Sequence, residues 1–388
     1  MLKITGVGAV TPYGVGKEAL FQGIKSGMPP SSSIPSLFNL PFSDKIKLAS
    51  FDSATFDRKA SSIDGLILKA VEEALHNAGL ENDSLDDTAL LVGATGYVAA
   101  AEAKYLEEIK KGDPRPVPLA IAGPGDTSAV LAEKLALEGP LMTVSTACTS
   151  GANALVAAER MIRLGEVRRA IVVGVELLNS LTISGFNSLM LLSPGGCRPF
   201  DAERDGIHLG EAIGAVILER AETGKPHTDE GKKGLFLCGL SSICDTHNVI
   251  SLNPDGSSLL RVMKGALLAA GVSAGEIKGI KAHGIGSKDN DSAEAKAMKM
   301  LFKGEAPPFT SLKGYLGHTL AASALVETIA FFQCVEKGFL PAASGFSTED
   351  PEIGRSPIEK QLPSIKGYFL LNYLGFGGSN TSMVLKYV

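Results

Sequence analysis

The chain has 388 residues, 45% of them apolar and 20% charged, with a formal net charge of −5 and a pI near 5.8. That balance fits a globular protein with a large buried core and gives no global attraction to nucleic acid or to an anionic membrane surface. Five cysteines without CxxC spacing argue against a disulfide framework or a structural zinc site.

In chain order, residues 2–10 read as a buried strand ending in a Gly/Pro turn, and residues 62–78 as a helix stopped by Gly79. Short apolar strands are expected over 88–92 and 141–146. An Ala-rich helix over 151–164 is closed by Gly165, and strands follow at 170–175 and 215–219. A polar linker, 220–233, precedes a second series: a strand at 235–242, a helix at 257–270 stopped by Gly271, and a strand at 277–283. An Ala-rich helix at 321–336 and strands at 369–374 and 381–387 complete it. The alternation implies α/β layers with mostly parallel sheets. The repeated element order implies an internal duplication, with halves at 1–225 and 226–388. The best candidate for a membrane span, 321–340, is interrupted by Glu327, Glu336 and Lys337, and the N-terminus lacks a secretory pattern. A reducing, cytoplasmic location without membrane insertion is the expectation.

The sharpest local feature is Thr143-Val-Ser-Thr-Ala-Cys-Thr-Ser-Gly151, where a strand leads straight to Cys148 and a helix follows. A thiol at a helix N-terminus meets unpaired N–H groups and the positive end of the dipole, which favours the thiolate near neutral pH. Taken alone, the motif leaves a nucleophile and a buried core cysteine equally open. His283, in Lys281-Ala-His-Gly-Ile-Gly-Ser287, ends a strand before a Gly-rich turn; His318, in Lys313-Gly-Tyr-Leu-Gly-His-Thr319, precedes the second Ala-rich helix. Each histidine singly reads as a cap or a structural side chain. One Cys and two His on such loops fit nucleophilic catalysis better, and close metal-ligand pairs are missing. In Asn372-Tyr-Leu-Gly-Phe-Gly-Gly-Ser-Asn380, three glycines let the backbone approach another element, and Phe376 stands among them.

These motifs, together with Arg198-Pro-Phe-Asp-Ala-Glu-Arg-Asp-Gly206 and the opening Ile-Thr-Gly-Val-Gly-Ala-Val-Thr-Pro-Tyr-Gly-Val-Gly at residues 4–16, resemble the β-ketoacyl-acyl carrier protein synthases. The likeness is to the elongating branch of that thiolase-superfamily group and spans essentially the whole chain. It implies a five-layered αβαβα fold, a dimer and no tightly bound cofactor, with substrates carried on the phosphopantetheine of acyl carrier protein. It implies decarboxylative Claisen condensation: Cys148 takes the acyl chain, then attack by a malonyl-derived enolate follows. By match, His283 and His318 would hydrogen-bond the malonyl thioester and Lys313 would tune the site. The N–H groups of Cys148 and Phe376 would form the oxyanion hole, and Phe376 would gate the pocket. Asp291 and Glu294 would order the histidine loop, with Glu294 pairing with Lys313.

Departures from the family pattern are specific. Its HGTGT is here His283-Gly-Ile-Gly-Ser287, so of two pantetheine-binding hydroxyls Ser287 keeps one and Ile285 loses the other. The segments 193–198 and 110–127 are short, and the family's GEG reads Gly210-Glu211-Ala212. Arg58 and Lys59 remain as carrier-protein contacts, with Arg168 and Arg169 as alternatives. Two partner arrangements stay open: a homodimer, or a heterodimer with a homologous ketosynthase or chain-length-factor subunit. In the second, this chain could itself be the chain-length-factor-like member. Retention of the Cys-His-His set argues against that. The pattern also allows a specialised polyene or polyketide-type bacterial pathway.

Overall fold

A computed structural model describes residues 1–30, 40, 42, 46–51, 60–95, 112, 124–221, 234–364 and 366–388. Arg58, Lys59 and residues 113–123 lie outside the described residues.

Ten principal strands order the molecule. In the first half they are β1 (Leu2–Thr11), β2 (Thr88–Ala94), β3 (Leu141–Val144), β4 (Arg169–Glu176) and β5 (Ala212–Arg220). In the second half they are β6 (Leu235–Cys244), β7 (Ile277–Lys281), β8 (Phe309–Thr310), β9 (Gly367–Leu374) and β10 (Ser379–Tyr387). The spatial order is β3-β2-β4-β5-β1 in one half and β8-β7-β9-β10-β6 in the other, so the two halves repeat one topology. A short antiparallel pairing of Leu2–Ile4 with Leu235–Leu237 joins them.

The helices repeat as well. After α1 (Lys17–Ser26), the first half carries α2 (Ala60–Ala78), α3 (Pro124–Lys134), α4 (Ser150–Leu164) and α5 (Ser180–Ser188). The second carries α6 (Ser257–Ala270), α7 (Lys288–Leu301) and α8 (Ser323–Glu336). Gly165 and Gly271 end α4 and α6 in left-handed C-caps, as their positions in the sequence suggest.

Alternate residues of each strand feed different cores. Leu90, Val92, Ile171 and Val173 face Ile67 and Val71 of α2 on one outer side. Leu91 and Val172 face the middle, with Leu155 of α4, Leu325 and Ile329 of α8 and Leu371 of β9. Ile280, Leu370 and Val384 face Val262 and Met263 of α6 on the other outer side. The result is α2/α3, sheet, α4/α8, sheet, α6/α7: five layers. The inner position of α8 explains its composition. It is buried nearly all round, so it reads as apolar without periodicity. No described helix is long and apolar enough to cross a membrane.

The sheets are mixed rather than mostly parallel. Pairings among β2, β3 and β4, and among β7, β8 and β9, are parallel, because a crossover helix separates successive strands. β4–β5, β5–β1, β9–β10 and β10–β6 are antiparallel. Between β9 and β10 only a tight loop intervenes, and a tight loop reverses direction.

The first strand layer touches the inner helices at backbone distance. A Cβ on Gly93 of β2 would fall 2.5 Å from the nitrogen of Gly151 and 2.7 Å from its Cα. Neither atom can retreat without moving α4. Gly93→Ala is therefore expected to lower stability by about 2 kcal/mol, seen as a lower urea midpoint at an unchanged slope. An unchanged midpoint would contradict this packing.

Candidate active site

Cys148 sits on the turn between β3 and α4 and is 4% exposed. The turn is sharp because Ala147, a non-glycine residue, holds φ at 51° in the left-handed region. Thr149 fastens it: its hydroxyl donates to the Thr146 carbonyl at 2.7 Å and lies 2.7 Å from the Ser379 hydroxyl at the start of β10, within hydrogen-bond distance. The glycine loop after β9 comes equally close. A Cβ on Gly375 would lie 3.4 Å from the Cys148 nitrogen. The backbone N–H groups of Phe376 and Cys148 pull the thiol toward its anion.

Two imidazoles share the cavity. Cys148, Phe186, His283, Ile285, His318 and Phe376 all line it. The two histidine rings meet edge to face with centroids 5.5 Å apart. The Leu374 N–H donates to His283 Nδ1 at 3.3 Å, which leaves the ring proton on Nε2. His318 Nδ1 is 3.2 Å from Ser323 Oγ at the start of α8. Burial, reinforced by the Lys313 charge, holds both imidazoles well below the usual histidine pKa. They are neutral donors at neutral pH.

The loop that carries His283 is shaped by carboxylates on α7. Asp291 accepts from the N–H groups of Ile285 at 3.0 Å, Gly286 at 3.2 Å and Phe200 at 2.8 Å. Glu294 accepts from the N–H groups of His283 and Gly284, each at 2.9 Å, and from Asn372 Nδ2 at 3.0 Å. Burial raises Asp291 to about 7, against the opposing pull of the Phe200 N–H and the Arg204 charge. The 198–206 motif is the underside of this loop: Arg204 is 2% exposed and donates to Asp201 O, Lys288 O, Ser292 Oγ and the Asp350 carboxylate.

Three expectations need correction. Lys313 pairs with Glu327 on α8, not with Glu294. Glu294 is occupied by backbone N–H donors, whereas Glu327 points across the inner layer at Lys313. The thiol is not eased toward its anion: burial pushes Cys148 up to about 12, more than the N–H groups and the Lys313 charge recover. Arg169 is no free basic contact, because it is buried and bonded to Glu219 at 3.2 Å; Arg168 is exposed. Ser287 caps α7 by accepting from the Asn290 N–H, and Ile285 lines the cavity. Glu327 is the site residue that motif reading missed. Its signal was a carboxylate in the middle of a mostly apolar helix. Among the described residues, no cluster of His, Cys, Asp and Glu is arranged to hold a metal.

The comparisons with known proteins agree with this geometry. The Beta-ketoacyl synthase, N-terminal domain, family matches residues 2–224, and the Beta-ketoacyl synthase, C-terminal domain, family matches residues 236–347. The chain belongs to the β-ketoacyl synthase family. It is 29% identical to the 3-oxoacyl-[acyl-carrier-protein] synthase 2 of Synechocystis sp., over 99% of this chain and 97% of that protein. Among solved structures, a β-ketoacyl synthase from Burkholderia phymatum is 25% identical with a TM-score of 0.86, covering 100% of this chain and 99% of that one. A ketosynthase from Xenorhabdus doucetiae, in complex with its chain length factor, is 27% identical with a TM-score of 0.82, covering 100% and 98%. The five layers are thus those of the thiolase fold.

At the β-ketoacyl synthase site Phe376 stacks on Phe186 with ring centroids 5.6 Å apart, beside a cavity of about 20 Å³. With the thiol protonated at neutral pH, alkylation of Cys148 by iodoacetamide is expected to rise about tenfold per pH unit from roughly pH 7 to 10. A plateau below about pH 8 would contradict the burial that raises this group.

Proposed function

We propose that this β-ketoacyl synthase condenses an acyl chain held on Cys148 with malonyl-carrier protein, releasing carbon dioxide. The observation that carries the reading is the meeting of one thiol and two neutral imidazoles in a single cavity. In the first stage the Cys148 sulfur attacks the acyl thioester. The thiol proton leaves with the carrier sulfur, and the N–H groups of Cys148 and Phe376 hold the oxyanion. In the second stage His283 and His318 donate to the malonyl thioester carbonyl. Loss of carbon dioxide then leaves an enolate whose carbon attacks the acyl-cysteine and returns the sulfur. Two neutral donors suit this step, because each hydrogen bond strengthens as negative charge builds on the oxygen.

The carrier is proposed to be an acyl carrier protein whose phosphopantetheine arm brings both substrates, as the Synechocystis relative's name indicates for that protein. Phe376 and Phe186 must part for the arm to enter. Ile285 supplies an apolar wall there and no hydroxyl, so the arm keeps fewer hydrogen bonds at that point.

A homologous partner is also proposed. β3 is the outermost strand of its half, with Leu141 45% and Met142 36% exposed, and Leu181, Leu189 and Met190 are exposed at α5. A second copy or a chain-length-factor-like subunit can cover that edge. The intact Cys148, His283 and His318 support the condensing role for this chain over that of a non-catalytic subunit. The reading places the enzyme in the cytoplasm with its carrier.

His318→Ala is expected to leave acylation of Cys148 intact and to lower condensation at least about a hundredfold, measured by the mass of the 3-oxoacyl product on the carrier. Condensation at near the parent rate would remove His318 from the second stage.

A further inference from the structure

Lys281, two residues before His283, is absent from the chemistry above, yet it is fully buried. Its ammonium donates to Glu327 Oε2 at 2.6 Å and to the Asn372 carbonyl at 2.9 Å, and it lies 3.7 Å from the ring centroid of Tyr373. The other oxygen of Glu327 takes Lys313. One carboxylate on α8 is therefore shared by two lysines, and all three side chains are 0% exposed. Glu294 on α7 is the other buried carboxylate whose charge reaches Lys281.

A single lysine would satisfy Glu327 as an ion pair with no surplus charge. The second adds a positive charge that Glu327 alone does not offset, with Glu294 as the further carboxylate facing it, and both imidazoles feel that charge. We propose that Lys281 is an electrostatic positioning residue: by sharing Glu327 it leaves the Lys313 charge only partly compensated, which adds to the effect of burial at His283 and His318 and favours negative charge at the reacting atoms.

The sign follows from the groups facing the site. Positive charge on Lys281 and Lys313 opposes protonation of both imidazoles, and the Lys313 charge pulls the Cys148 thiol downward. Removing the Lys281 charge leaves Glu327 to neutralise Lys313 and leaves Glu294 without a counter-charge. The imidazoles then gain protons more readily. Burial lowers the Lys281 ammonium to about 8, against the raising pull of Glu327, so Lys281 carries its charge below about that pH.

The role rests on the ketosynthase reading, but its test does not need turnover. In protein labelled with ¹⁵N-histidine, the His283 and His318 resonances are followed from about pH 8 down to the acid limit of the folded protein in the parent, Lys281→Met and Lys281→Arg. Lys281→Met is expected to move both titrations upward by about one pH unit or more, and Lys281→Arg to leave them at the parent values. If Lys281→Met does not fold, Lys281→Gln gives the same reading with a donor retained for Asn372. Titrations unchanged in a folded charge-free variant, or shifted equally in Lys281→Arg, would overturn the proposal. A shift seen in a protein that makes no condensation product would leave Lys281 its role and remove the ketosynthase reading instead.

Discussion

The close approach of the two inner helices at their N-terminal ends is the constraint on which the site depends. A side chain on Gly151 of α4 would fall 2.7 Å from the Ala321 carbonyl and 2.6 Å from Leu325 of α8. Only a glycine allows that contact. It brings Cys148, from the first half, beside His318, from the second. The Ala321 N–H also donates to Glu176 at the end of β4, at 3.2 Å, so the second half is bonded to the first within a few residues of the histidine. Without this approach the duplication would be two layered halves with no shared cavity.

The electrostatics of that cavity are those of a dry site. The helix N-terminus and two N–H donors all favour the Cys148 anion, yet desolvation of the thiol outweighs them. The resting sulfur is a thiol. The imidazoles are likewise kept neutral by burial and by the lysines behind them. Buried ions cost several kcal/mol each unless they are paired. Here Glu327 takes both lysines, and the carboxylate of Glu294 is met by three donors. The stack of Phe186 on Phe376 borders the same space.

Much of this was legible in the sequence. Gly79, Gly165 and Gly271 mark helix ends because each takes the left-handed conformation there. Cys148, His283 and His318 stood out because each lies where a regular element ends beside glycine or a turn. What could not be read was pairing across the molecule. Lys313 was matched to Glu294, and its pairing with Glu327 is fixed by the direction of α8, not by spacing. α7 was missed because its Lys-Asp-Asn-Asp-Ser start is polar and its apolar face is narrow. The mixed sheet was missed because element order alone does not say whether a connection crosses over or turns back.

The central claim is that Cys148 carries the acyl chain, and the intact mass of the protein after incubation with acyl-carrier protein tests it most directly. The account requires one acyl-sized increment that maps to Cys148 and is lost in a folded Cys148→Ala protein. No increment on the folded parent chain, or the same increment on Cys148→Ala, would contradict it.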